Sequence, residues 1–333
     1  MIITRTPFRI SFFGGGTDYP VFYSEHGGAV LATTINRYCY ITLRHLPQFF
    51  EYKHRVVYSK TELINEIDHI IHPSVRESLR HMQIDTGLEI HHDGDLPART
   101  GLGSSSSFTV GLLLALHAYQ GRMVSKRDLA EQAIHVEQNL IKENVGSQDQ
   151  TMAAFGGLNV VRFNGPCGQH LKVTPVCQSQ QRKTLLQDRL MLFFTGLVRT
   201  ASEIAGEQIR CTSQKIRELK QMQNMVDEAA AMLSSNNDLD DFGRLLNETW
   251  MLKRSLTKCI SNDQIDRIYA LAMANGALGG KILGAGGGGF ILFYVPPERQ
   301  EQVKQALRLL HVPFKFENQG AQLIFYEPDD HES

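Results

Sequence analysis

The chain has 333 residues, 42% of them hydrophobic, and its 34 Lys and Arg nearly balance 35 Asp and Glu to leave a net charge of −1. That balance argues against nucleic acid or an anionic membrane as the main partner, and the length allows one large domain or two ordinary ones. Cys39, Cys167, Cys177, Cys211 and Cys259 are scattered and never spaced as C-x-x-C, which fits neither a disulfide framework nor a zinc site.

Met1 to Arg5 lead into a strand-like run rather than a secretory apolar core, and no apolar stretch is long enough to span a bilayer, so a reduced, cytoplasmic protein is expected. The run IITRTPFRISFF alternates as a strand and stops at Gly14-Gly15-Gly16. RYCYITLRHL and GLEIHHDGDL read as further strands. Helices are predicted over about 105–120 and 126–143, and a short one runs from Gln148 to Phe155, closed by Gly156-Gly157. GGLNVVRF is a strand. The polar stretch VCQSQQRKTLLQDR shows no clear apolar period and precedes the strand LMLFFTG. A domain boundary falls near 185, dividing the chain into 1–185 and 186–333. Helical patterns then fill Ala201 to Ala274, with Trp250 read as core. GGKILGAGGGGFILFYV, a helix over about 297–311 and a last strand, AQLIFYE, follow. This is α+β order, not the βαβ alternation of a parallel sheet.

Three segments carry chemistry. In LPARTGLGSSSS, Gly101, Gly103, Ser104, Ser105, Ser106 and Ser107 cluster at one helix start. One serine there would be an ordinary cap. A cluster suits phosphate, because a helix start offers unpaired N–H groups and the positive dipole end, while glycines let an anion come close. No Lys follows as a Walker motif requires. Next, Glu137 occupies the apolar stripe of Leu129, Ala130, Ala133, Ile134, Leu140 and Ile141. A carboxylate on that face implies either a buried ion pair or a hard cation such as Mg²⁺. Ser147 and Gln150 have the S-x-x-Q form of a capping box, placing Asp149 in a first helical turn. There it suits the dipole, and near a phosphate site it could orient and deprotonate a hydroxyl nucleophile. Gly284-x-Gly286-x-x-Gly289 satisfies the dinucleotide-binding expression in the wrong context, since a strand follows it. Its glycine density points to close approach to a ligand or another loop.

TPFRISFFGGGTDYP, LPARTGLGSSSS and GGKILGAGGGGF, in that order, resemble the three motifs of the GHMP kinases. The resemblance spans nearly the whole chain. It implies a two-domain α+β fold with ATP and a sugar in the cleft between domains. It further implies that the serine loop cradles the ATP phosphates, that Ser105 and Glu137 ligate Mg²⁺, that Asp149 is the catalytic aspartate and that Arg9 steadies the charge beside it. Asp18, with Gly15, Gly16 and Thr17, and the later Gly286 and Gly287, would face the sugar. Galactokinases carry Glu-His where this chain has Gly15-Gly16, a change that implies room for a bulkier substrate. The FRISFFGGGTD form with GSQDQ downstream is most similar to the D-glycero-D-manno-heptose 7-phosphate kinase branch. A fucokinase-like enzyme and a non-catalytic sugar- or ATP-sensing relative are the alternatives. For a phosphorylated sugar, Arg37, Arg44, Lys53, Arg55 and Arg199 are candidate holders of the distal phosphate.

Overall fold

The computed structural model describes residues 1–98, 100–165, 171–197 and 201–327. The N-terminal strand Ile2–Phe13 is buried at every position from Arg5's neighbour Thr6 through Phe13. It is therefore covered on both faces, although its alternation suggests one wet face. Of its hydroxyls, Thr4 Oγ1 donates to the Gly111 carbonyl, 2.9 Å away, while Thr6 Oγ1 and Ser11 Oγ are buried without a partner. The strand pairs antiparallel with Gly28–His45 and slips register at Pro7/Phe8, where proline has no N–H to give, and again before Phe13.

These two strands organise the larger sheet, whose order is Gln322–Tyr326, Ile2–Phe13, Gly28–His45, Leu88–Gly94, His54–Val57, Thr61–Ile64. Leu158–Phe163 and Phe316–Glu317 also pair with Gly28–His45. The smaller sheet is antiparallel, in the order Leu310–His311, Leu190–Phe194, Phe290–Tyr294, Gly279–Ile282. Helices Ile216–Ser234, Asp240–Arg254 and Asp263–Ala274 belong to this second half.

The helix Ser104–Tyr119 is apolar on all sides because it lies inside the first domain. Gly111 makes that position possible: a Cβ there would lie 2.7 Å from Thr6 Oγ1. The helix predicted over 126–143 is α-helical over Lys126–His135 and then widens into a π-turn, Val136–Leu140. The extra residue rotates the stripe, so Leu140 is exposed while Glu137 is buried at 1% exposure. The polar stretch before residue 190 contains a helix, Gln180–Gln187, whose cap is Ser179. Leu186 is its one buried residue, so no apolar period marks it. The helix predicted over 297–311 stops at Leu307, where Arg308 turns left-handed at φ 51°, and Leu310–His311 joins the second sheet.

Chain and core both cross the division at 185. Phe316–Glu317 and Gln322–Tyr326 return to the first sheet, pairing Phe316 with Ile35 and Tyr326 with Ile2. Hydrophobic burial also ignores the boundary, since Phe12 and Phe13 pack edge-on against Phe242 at 5.6 and 5.1 Å. A second cluster gathers around Trp250, Tyr269 and Phe293, with Trp250 fully buried as its sequence context indicated.

Candidate active site

A cleft of about 780 Å³ of atom-free space opens between the two halves. Arg9 projects from the N-terminal strand at its floor, tied in place because its backbone N–H donates to the Leu102 carbonyl at 3.0 Å. Its guanidinium grips Asp149 with two parallel bonds, Nε to Oδ1 at 2.8 Å and Nη2 to Oδ2 at 2.7 Å, while Nη1 donates to the Gly101 carbonyl at 2.6 Å. Such a fork fixes both position and plane of the carboxylate.

Asp149 stands in the first turn of Gln148–Phe155, as the sequence indicated, but the capping box does not form. Ser147 adopts φ −99°, ψ 0° instead of the extended conformation of a cap. Its hydroxyl meets Tyr23 Oη and the Gln138 amide, both at 3.1 Å, and Gln150 turns to Glu137. The turn is held instead by the Ser147 N–H, which donates to the Asp18 carbonyl at 2.9 Å.

The serine loop ends on Gly103, left-handed at φ +76°, where a Cβ would lie 3.3 Å from Asp149 Oδ2. The helix start therefore abuts the Arg9–Asp149 pair. The four serines divide. Ser104 and Ser105 line the cleft. Ser106 and Ser107 turn inward, Ser106 Oγ donating to Glu137 Oε2 at 2.8 Å and Ser107 Oγ to the Pro7 carbonyl at 2.9 Å.

No lysine or arginine pairs with Glu137 among the described residues, which removes the ion-pair reading. Its Oε2 also accepts from Gln150 Nε2 at 2.5 Å. Its Oε1 makes no hydrogen bond of good geometry, and the Thr109 hydroxyl, which donates to the Ser105 carbonyl at 3.2 Å, is close enough to ease its charge. Burial pushes this carboxyl up to about 7 against the pull of the surrounding donors. An unspent carboxylate oxygen suits a hard, oxygen-seeking cation, although Glu137 lies behind the residues that line the cleft. Among the described residues no group of three or more His, Cys, Asp or Glu could hold a metal alone. The donor set fits a magnesium ion completed by phosphate oxygens.

Asp18 also lines the cleft and is buried, with Oδ1 accepting the Gly16 N–H at 2.9 Å. Burial raises its carboxyl above the usual range, the Asp149 charge adds to this, and the Gly16 N–H and Lys253 oppose it. Gly15 and Gly16 line the cleft beside it. Thr17 does not: it is fully buried, with its hydroxyl 2.9 and 2.8 Å from the Gly14 and Ala29 carbonyls, and it shapes the loop. Gly286 and Gly287 are also displaced from the expected role. A Cβ on Gly286 would lie 2.7 Å from the Ile260 carbonyl, to which the Gly287 N–H donates at 2.9 Å. Gly284 and Ala285 face the cleft instead.

None of the basic residues proposed for a distal phosphate that are described lines the cleft. Arg37 donates to the Pro313 carbonyl at 2.6 Å, Arg44 and Arg55 pair with Glu89, and Lys53 pairs with Asp85 at 2.7 Å. Arg199 lies outside the described residues. The cation that sequence reading missed is Lys253, buried in the cleft wall with Nζ donating to the Gly284 carbonyl at 2.6 Å. Burial lowers it to about 8, with the Asp18 charge opposing. Its signal was present: Phe242, Leu245, Leu246, Thr249 and Trp250 form a buried stripe that runs on to Lys253.

Residues 69–157 match the GHMP kinases N terminal domain, and residues 225–311 match the GHMP kinases C terminal domain. A D-glycero-alpha-D-manno-heptose 7-phosphate kinase of Campylobacter jejuni is 28% identical over 92% of this chain and 93% of its own. A bifunctional fucokinase/GDP-fucose pyrophosphorylase of Arabidopsis thaliana is 27% identical over 67% of this chain, which spans 21% of that protein. The crystal structure of a D-glycero-D-manno-heptose 1-phosphate kinase from Bacteroides thetaiotaomicron superposes with a TM-score of 0.79, covering 98% of this chain and 100% of its own at 23% identity, a likeness of fold.

Proposed function

The chain belongs to the GHMP kinases, and from that premise we propose that it phosphorylates the anomeric hydroxyl of D-glycero-D-manno-heptose 7-phosphate with ATP, giving the 1,7-bisphosphate. The observation that carries the chemistry is the forked Arg9–Asp149 pair set against the start of the serine helix. Phosphoryl transfer asks mainly for alignment and charge stabilisation. Asp149, held rigid by Arg9, accepts the proton of the attacking hydroxyl. The positive end of the helix that starts after Gly103 receives phosphate oxygens, and the hydroxyls of Ser104 and Ser105 stand beside it. Glu137 and Ser105 would hold magnesium, which when bound neutralises phosphate charge. Asp18 receives sugar hydroxyls.

The heptose assignment rests on the end-to-end likeness to the Campylobacter jejuni enzyme. The test is ATP turnover with Mg²⁺ against D-glycero-D-manno-heptose 7-phosphate, mannose 6-phosphate, fucose, galactose and mannose. Strong preference for the heptose phosphate is the expected result. Preference for fucose would keep the mechanism and replace the substrate, and sugar-independent ATP consumption or none would defeat the sugar-kinase reading.

A further inference from the structure

The glycine triplet does not simply leave the cleft empty. A Cβ on Gly16 would lie 2.3 Å from Nε2 of Gln208, which reaches in from the helix Ala201–Cys211 of the second domain. A Cβ on Gly15 would lie 3.7 Å from Lys253 Nζ. The bare backbone of the first domain thus admits two polar groups of the second. The room expected for a bulkier substrate is, beside Gly16, already occupied by a carboxamide.

The donor of that carboxamide is unspent. Gln208 is 3% exposed and lines the cleft, yet its Nε2 has no hydrogen-bond partner. A buried N–H donor without an acceptor is costly, and such a donor in a binding cleft marks a place where a ligand supplies the acceptor. The same Gly16 gives its N–H to Asp18 Oδ1, so an amide donor and a carboxylate acceptor flank one residue. Two groups of opposite hydrogen-bonding character side by side suit a pair of sugar hydroxyls, one accepting and one donating.

We propose that Gln208 is a specificity-determining residue that donates from Nε2 to a hydroxyl of the sugar, alongside Asp18. The inference rests on the sugar-kinase reading above. It makes recognition of the sugar depend on a helix of the second domain, whereas the Arg9–Asp149 pair belongs to the first.

The test uses the full chain and the panel sugar that the wild type turns over best. Gln208→Leu keeps the size and removes the donor, while Gln208→Glu keeps the shape and replaces the donor with an acceptor. Both are expected to raise the KM for the sugar about tenfold, the worth of one lost hydrogen bond, with the KM for ATP unchanged. Monodeoxy analogues of that sugar supply a readout that a structural role would not move. One analogue is expected to lose about tenfold in kcat/KM on the wild type and nothing further on Gln208→Leu. An unchanged sugar KM, or equal losses for every analogue on wild type and variant, would overturn the proposal. If Gln208→Leu fails to fold, Gln208→Glu decides by the same measurements. A wild type that turns over no sugar defeats the kinase reading and this inference together, whereas a wild type indifferent to Gln208 defeats the inference alone.

Discussion

Glu137 places stability and function in opposition. Its carboxyl is buried without a counter-ion and titrates at about 7, against an ordinary value of 4.5. Between those values the folded chain keeps the proton and the unfolded chain releases it. Stability is therefore fully present below about 4.5 and is lost as pH rises through about 7. The gap corresponds to a penalty on the order of 3 kcal/mol for the ionised form in the ligand-free protein. Glu137→Gln removes the charge while keeping shape and the bonds around Oε2. Its Tm is expected to exceed that of the wild type at pH 8, with the difference shrinking toward pH 5, and its ATP turnover is expected to fall because a carboxylate ligand for magnesium is gone. Thermal melts of both proteins across that range check the first half. A Tm difference that does not change with pH would mean that Glu137 is not a buried ionising group.

The elements meet the site through backbone, and here glycine is decisive. Gly284 adopts φ +71°, and a Cβ on it would lie 2.6 Å from Gly101 Cα, so the glycine loop and the serine loop touch main chain to main chain. Neither side can yield by rotating a side chain. Gly121 has a similar φ of +67° but nothing within 4 Å of its missing Cβ. Alanine at either position pays about 1–2 kcal/mol for a left-handed backbone. Gly121→Ala is expected to show that loss in Tm and keep full activity. Gly284→Ala is expected to lose more Tm and at least tenfold in kcat, as the serine loop is pushed off the Arg9–Asp149 pair. Equal activity in the two variants would show that the loop contact does not position the site. The elements themselves were unevenly legible. The helices Ser104–Tyr119 and Gln148–Phe155 are bounded by glycines that the eye finds in sequence, and Glu137 and Asp149 stand out as carboxylates in telling places. Gln180–Gln187 hides because one buried leucine anchors it. The π-turn hides because a stripe drawn at the α-helical period has no place for an extra residue. Lys253 was readable by the logic applied to Glu137. Gln208 was not, since its meaning depends on a glycine far away in the chain.

At the scale of the whole molecule, the two domains share one hydrophobic core, with the cleft between them. The chain leaves the first sheet, builds the second, and returns to lay Phe316–Glu317 and Gln322–Tyr326 beside Gly28–His45 and Ile2–Phe13. Hydrophobic packing follows the chain across: Met225, Val226 and Phe242 of the second half belong to the same cluster as Phe12, Phe13 and Ile35 of the first. Lys281, fully buried, adds a polar tie by donating from Nζ to the Phe12 carbonyl at 2.9 Å. Halves that share a core in this way should not melt separately. Calorimetry of the full chain is expected to show one cooperative transition. Removing residues 316–333 takes away Phe316, which packs against Phe12 at 6.4 Å, and strips the partner strand from Ile2–Phe13. Loss of the buried Phe316 ring alone is worth about 3 kcal/mol. The shortened chain is expected to melt several degrees lower, still in one transition, because Ile2–Phe13 carries both Arg9 and the packing that joins the halves. Two separate transitions in the full chain, with only one of them moved by the truncation, would show that the halves are independent domains. The cleft would then be a hinge between them rather than a fissure within a single unit.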